Sequence, residues 1–421
     1  MKLKRKSILL IMALLFGSFV CACGKEVNIS DESFVEDTEE TQSTAEQKNA
    51  EKEAAEQWGK GYGLPVDTQE EQEATNDCKK MMDLISDIYE HADKGEASNV
   101  VLSDETILEM QKKVKGTGCP VTTVVTYYNM ENYERADKFL EGCMEGKSGS
   151  EVVYEIYVDG GIGRMKFVFD GTDMYVVSAR SMWNEDNKPW MSDIAHNRIK
   201  EWKYTDKGWF GYELCVPEPP EVSEIIDGSR LIRIKPMTEK QREMSEKCVR
   251  DFGYQGNNLL CSDWDTDHME ELDYNGMYEY LYRMKYQKRF DSENYPNGIP
   301  KEEFESLIMD YFSITAEQIR EYAVFDEENQ TYVWARLGCI NYAPTFFGTS
   351  LPEVTDIKEN EDGTVTLTVN AVCDMVICDD AVITHNLTVR FAEDGSFQYL
   401  GNEILYGGIN KIPEYQYRML F

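Results

Sequence analysis

The feature that most constrains the fold is a strict two-residue alternation near the end of the chain. Val365, Leu367, Val369 and Ala371 fall on one side, and Thr364, Thr366, Thr368 and Asn370 fall on the other. A strand points successive side chains to opposite faces, so this segment predicts a strand with one buried face and one wet face. Asp362-Gly363 ahead of it is a hairpin turn signal. Leu387, Val389 and Phe391 repeat the alternation, and Asp394-Gly395 leads into Phe397 and Tyr399. Parallel sheets are covered on both faces, so these half-wet strands predict antiparallel hairpins.

The same logic places a meander further upstream. Val152 to Val158, Arg164 to Phe169 and Met174 to Ser178 are separated by Asp159-Gly160-Gly161 and Asp170-Gly171. Further strand-like runs cover Ile199 to Tyr204, Trp209 to Val216 and Arg230 to Ile234, while Val121 to Tyr128 is β-branched and aromatic. Helical spacing precedes the meander in Met81, Met82, Ile85, Ile88, Tyr89 and Ala92, in a second helix after Ser103, and in Tyr133, Ala136, Leu140, Cys143 and Met144. Between the two sheet regions, Thr238-Glu239-Lys240-Gln241 and Thr315-Ala316-Glu317-Gln318 have the capping-box form. Ile314 and Ile319 are placed as a hydrophobic staple, and Phe304, Leu307, Ile308, Tyr311 and Phe312 form an apolar helical stripe. The predicted class is α+β, antiparallel meanders and hairpins flanked by helices.

The first two dozen residues are of another kind. Lys2, Lys4, Arg5 and Lys6 precede an apolar run from Ile8 to Phe16, which ends in Val20-Cys21-Ala22-Cys23-Gly24. This order resembles a bacterial lipoprotein export signal, with Cys23 as the lipid acceptor and Cys21 a small departure from the usual pattern. The apolar run is too short to span a bilayer. Two acyl chains on Cys23 would anchor the chain to the lipid bilayer of the cell membrane, facing the extracytoplasmic side. The alternative is an ordinary signal peptide, whose cleavage would release a secreted protein. From Lys25 to about Thr75 acidic and polar residues dominate and cannot bury enough apolar surface to fold, so this stretch predicts a tether spanning on the order of 40 Å. Gly59, Gly61 and Gly63 belong to that linker, since no strand precedes them. The expected organisation is a signal peptide over 1–22, lipidated Cys and tether over 23–75, an α+β region with the meander over 76–236, and a helical segment with a hairpin sheet over 237–421.

The formal charge of −35 over 421 residues excludes nucleic acid as a partner and favours a neutral or basic ligand, or a cation. Asp263-Trp264-Asp265-Thr266-Asp267 resembles the start of a calcium loop, in which Asp263, Asp265 and Asp267 could face one ion. His268 occupies the position that needs glycine, however, and Tyr274 stands where the bidentate glutamate belongs; the alternative is a solvated turn. Cys373, Cys378 and His385 could bind a borderline metal, but two cysteines close a disulfide or remain reduced at the same spacing. With Cys23 lipidated, the nine remaining body cysteines cannot all pair within one chain. No cofactor motif is present. His91, His196, His268 and His385 are scattered, and no Gly-x-Ser-x-Gly or His-Glu-x-x-His pattern occurs, so a non-catalytic module is favoured over an enzyme. Among 25 tyrosines and seven tryptophans, Trp183, Trp190, Trp202 and Trp209 lie close together in sequence. Exposed on one face they would suit a glycan or cell-wall fragment; packed inward they would be core.

Trp202-Lys203-Tyr204-Thr205-Asp206-Lys207-Gly208-Trp209, the Phe304–Phe312 helix with Gln318-Ile319-Arg320, and Glu361-Asp362-Gly363-Thr364-Val365-Thr366-Leu367-Thr368-Val369 are similar to an uncharacterised family of Gram-positive, Firmicutes-type lipoproteins. The resemblance covers most of the chain after the tether. It implies an extracytoplasmic lipoprotein with no catalytic residues to carry over. The reading is therefore a tethered binding or interaction module with an unknown extracellular ligand or protein partner; the alternative is an extracytoplasmic hydrolase of cell-wall or dietary polymers.

Overall fold

The computed structural model describes residues 56–96, 99–337, 350–373 and 381–405, with Tyr415, Tyr417 and Arg418. Cys23, Cys378 and the segment from Asp374 to Asp380 lie outside the described residues. The described part belongs to one compact unit, Ala54–Phe421. None of its helices is long and apolar enough to cross a membrane.

The chain enters the fold earlier than the apolar spacing suggests. Helix α1 (Thr68–His91) starts where Asp67 accepts a hydrogen bond from the Glu70 amide, and its buried face begins only at Ala74. Its first two turns read as tether because they carry no apolar stripe. Ahead of it, Gly61 and Leu64 are bonded to the next sheet, with Leu64 N donating to the His196 carbonyl at 2.9 Å and Arg198 N to the Gly61 carbonyl at 2.7 Å. Leu64 is buried.

Helix α2 (Asp104–Lys115), capped by Ser103, follows. Strand β1 (Val121–Thr123), helix α3 (Glu134–Met144), and strands β2 (Gly149–Ile156), β3 (Ile162–Phe169), β4 (Met174–Trp183), β5 (Pro189–Tyr204), β6 (Trp209–Leu214) and β7 (Ser229–Arg233) complete a seven-stranded sheet in sequential order. The β1–β2 pair is parallel; all other pairs are antiparallel. On one face Tyr154, Ile156 and Ile162 pack with residues of α1 and α2. On the other, Val153, Phe167, Phe169, Val176 and Phe210 pack with Ala136, Leu140 and Cys143 of α3. Both faces are covered, so amphipathic helices and alternating strands meet in two thin cores rather than one.

Helix α4 (Glu239–Met244) opens on the Thr238–Gln241 capping box and runs into a π-helical turn, Ser245–Val249. Strand β8 (Trp264–Asp265), helix α5 (Tyr274–Tyr286), strand β9 (Ile299–Pro300), helix α6 (Lys301–Tyr311), helix α7 (Ala316–Tyr322), and strands β10 (Phe325–Asp326) and β11 (Thr331–Tyr332) lead to the second large sheet. Helix α7 opens on the second capping box, with Ile314 and Ile319 both buried. Strands β12 (Leu351–Glu359), β13 (Val365–Val372), β14 (Thr384–Phe391) and β15 (Phe397–Leu405) pair antiparallel in order, and β8 closes the far edge against β15. Leu367, Val369, Ala371, Leu387, Val389 and Tyr399 are fully buried against α5, α6 and the π-helical turn. The architecture is α+β, as the alternation and turn signals predict.

A buried ion pair joins the two sheets. Glu353 on β12 accepts from the Arg233 guanidinium of β7 and, at 3.4 Å, from Trp209 Nε1. Arg233 lies over the Trp209 ring, 4.4 Å from its centroid, and donates to the Lys207 and Lys235 carbonyls.

Candidate site on the wet face of the second sheet

The face of the second sheet turned away from the helices forms a groove of about 890 Å3. Strand register arranges its floor in two rows. Asp356, Thr368, Asn386 and Glu403 are successive cross-strand partners from β12 to β15. Lys358, Thr366, Thr388, Gly401 and Asp265 form the second row, which reaches β8. Neighbouring strands stand about 4.8 Å apart, so the first row offers a hydroxyl, amide or carboxylate at that interval and the second offers the Lys358 ammonium, two hydroxyls and the Asp265 carboxylate. Gly401 contributes no side chain; a Cβ there would come within 3.0 Å of the Trp264 carbonyl. Thr368 Oγ1 donates to Asn386 Oδ1 at 3.1 Å, which holds the amide oxygen towards β13.

Carboxylates gather at the β8 end. Asp263 Oδ1 accepts from Ile404 N at 2.6 Å, and Asp265 Oδ1 accepts from the Asp267 amide at 2.9 Å and from His268 Nδ1 at 2.8 Å. The His268 bond, then the Asp267 amide, hold the Asp265 carboxyl below its usual range; the same bond raises the His268 imidazole. Glu271 and Glu403 add negative charge at this end, beside His268, while Asp356 and Lys358 stand on β12 at the opposite edge. The groove can take up a neutral or cationic ligand rich in hydroxyl or amino groups.

The calcium-loop reading of Asp263, Asp265 and Asp267 is not realised as a chelating loop. Trp264 and Asp265 form an edge strand, with Trp264 turned into the core and Asp265 outward. The Asp263 and Asp265 carboxylates are each engaged by neighbouring donors, and among the described residues no group of three or more His, Cys, Asp and Glu side chains converges as a metal would require. His385 is corrected from ligand to core residue. It shares the inward parity of Leu387 and Val389 and is fully buried. Asn402 Oδ1 accepts from its Nδ1–H at 2.5 Å and Tyr254 OH donates to its Nε2 at 3.0 Å, so neither ring nitrogen is left for a metal. Burial lowers its pKa to about 4. Cys373 is buried near the core end of β13, and its candidate partner Cys378 lies outside the described residues. Cys78, Cys119, Cys143, Cys215, Cys248 and Cys261 form no disulfide in the structure, and burial raises the Cys78, Cys248 and Cys261 thiols to about 12.

The four meander indoles are not brought onto one face. Trp183 stacks on Tyr89 at 4.4 Å and donates to the Gly160 carbonyl. Trp202 packs edge-on against Phe169 and Phe210 in the α3 core. Trp209, opposite in parity to Phe210, lies under Arg233. Trp190 alone of the four is largely exposed, at 48%. Of the two readings of these indoles, packing within the fold is the one Trp183, Trp202 and Trp209 follow, and the polar surface lies instead in the hydroxyl and amide rows on the other sheet. No single segment carries that groove, because its members are cross-strand neighbours from five strands; the Thr and Asn alternation of β13 was its visible part.

The fold and groove together define an α+β protein of two helix-covered sheets with a polar sheet face. The chain belongs to the Family of unknown function (DUF6070), whose profile matches residues 71–418. Membership in a family of unknown function agrees with the resemblance read from the sequence. No curated protein and no solved structure matches the chain.

Proposed function

We propose that this protein is a membrane-anchored, extracytoplasmic binding module whose second sheet holds a neutral or cationic saccharide, such as a cell-wall fragment. The observation that carries the binding half is the pair of polar rows across the sheet. A saccharide presents hydroxyls along its length, and rows of fixed donors and acceptors at strand spacing engage successive hydroxyls without rearrangement. The acidic end favours an amino group and disfavours a polyanion. The anchoring half rests on the sequence from Lys2 to Gly24.

Titration calorimetry of the full-length protein with chitohexaose, chitosan hexamer, xylohexaose and soluble peptidoglycan fragments tests the binding half. At least one is expected to bind, and Thr366→Val with Thr368→Val should weaken it about 5- to 100-fold, since each lost hydrogen bond is worth about 0.5–1.5 kcal/mol. Binding by none of them, or equal binding to the double variant, would overturn it. For the anchor, Cys23→Ala is expected to move the protein from the detergent phase to the aqueous phase in Triton X-114 partitioning. An unchanged distribution would defeat lipidation at that residue.

A further inference from the structure

A second cavity, remote in character from the groove, has the opposite charge. It holds about 720 Å3 between the last turns of α2, the loop from Tyr128 to Asn132 and Arg242 of α4. Within a chain of net charge −35 its charged lining is Lys112, Lys115 and Arg242 against Glu131 alone.

Those cations are not equivalent. Lys115 pairs with Glu131 at 2.7 Å. Arg242 lies over the Tyr128 ring, 5.0 Å from its centroid. Among the described residues neither the Arg242 guanidinium nor the Lys112 ammonium has a carboxylate or hydrogen-bond partner. In most of this acidic surface a guanidinium would find a carboxylate; here it rests over an aromatic ring while the N–H donors along its edge stay available. The half-buried Tyr128 and Leu108 supply an apolar wall beside it.

The walls are fixed independently of any ligand. Gln111 Nε2 donates to the Val121 and Asn129 carbonyls at 3.1 and 2.9 Å. The Asn129 amide brackets the Met237 backbone, donating to its carbonyl at 3.0 Å and accepting from its N–H at 2.8 Å. That bracket ties the loop to the residue just ahead of the Thr238 cap, and so sets where Arg242 stands one turn later. Asn132 donates to the Lys115 and Cys119 carbonyls, each at 2.9 Å. A pocket of this size with preset walls, an apolar side and two uncompensated cations has the form of a small-molecule site.

We infer that this cavity binds a small organic oxyanion, a carboxylate or phosphate, with Arg242 as the bidentate donor, Lys112 as the second cation and Tyr128 and Leu108 as the apolar wall beside the ligand body. Arg–oxyanion pairs form two parallel N–H···O bonds, and a neutral analogue of the same shape leaves them unmade. The acidic groove would repel such a ligand, so the two sites take ligands of different charge.

The test is titration of the full-length protein at low salt with two matched pairs, glucuronate against glucose and glycerol 3-phosphate against glycerol. The inference expects at least one anion to bind while its neutral counterpart does not, and the two pairs separate carboxylate from phosphate as the source. Arg242→Gln should weaken that binding at least tenfold with an unchanged melting temperature, and Lys112→Gln should weaken it less while reducing its salt dependence. Neither anion binding better than its neutral partner, or equal binding by wild type and Arg242→Gln, would overturn it. Lys112 is exposed, so its variant reports even if the Arg242 variant is altered in stability.

Discussion

Arg233 of the first sheet and Glu353 of the second form an ion pair whose side chains are only 10% and 2% exposed. Each charge has been taken out of water and depends on the other. Glu353→Ala would leave the guanidinium buried beside Trp209 without its counter-charge, and a broken buried pair costs about 3–5 kcal/mol. Urea unfolding should show that loss. Arg233→Met with Glu353→Leu should recover most of it, because an apolar pair of similar volume is often neutral or better. A double variant as unstable as the single would show that the pair itself, rather than the orphaned charge, supplies the stability.

His385 makes a pH-dependent contribution whose sign is set by its burial. Its folded pKa is lowered from 6.5 to about 4, so the unfolded chain takes up the proton first as pH falls. The stability it contributes is complete above pH 6.5 and is lost as pH falls from there towards 4, by up to about 3 kcal/mol. His385→Gln should flatten the pH dependence of unfolding in this interval. An equal slope in both proteins would remove His385 from the account.

Arg164, 2% exposed, joins α1 to β3 by bonds of 2.9 Å to both Glu70 and Asp77. Burial raises the Glu70 pKa, but the hydrogen bonds from Lys166 and Arg164 outweigh it and hold the carboxyl below its usual value. A depressed carboxyl contributes stability above its unfolded pKa, near 4.5, that is lost as pH falls through its folded pKa. Arg164→Leu should therefore lower stability at pH 7 and narrow the difference between pH 7 and pH 3.5. A parallel shift at both pH values would place the effect in packing alone.

Gly208 turns between β5 and β6 with φ of +87°, and a Cβ added there would sit 2.2 Å from the Lys235 Cβ. Both the left-handed backbone and the close approach require glycine. Gly208→Ala should cost more than about 2 kcal/mol, whereas Gly363→Ala, at φ of +79° with nothing within 4 Å, should cost only the backbone term of about 1 kcal/mol. Thermal unfolding of both variants would read the difference, and equal losses would mean that Lys235 yields freely.

What could be read from residue order was local. Capping boxes at Thr238 and Thr315, glycine turns at Gly160, Gly171, Gly363 and Gly395, and the alternation of β13 each state their conformation within a few residues. His385 was legible too, since it shares parity with Leu387 and Val389 on the buried face of β14. Strand β12 escaped because Pro352 and the mixed Glu353–Lys358 run hide its alternation behind a bulge between Val354 and Asp356. The first half of β5 escaped likewise, its residues being half-buried rather than cleanly in or out. The groove and the Arg242 cavity were beyond reach for a simpler reason: each is a meeting of segments far apart in the chain, and only pairing reveals the neighbours.

The polar groove has a timing built into it. Asp263 and Ile404, which bond across its acidic end, are 141 residues apart in the chain, and the strand carrying Ile404 is the last of the sheet to be synthesised. A partly synthesised chain therefore displays threonines and carboxylates but not the joined rows. The two polar rows are joined only when that final strand has paired with β14 on one side and β8 on the other.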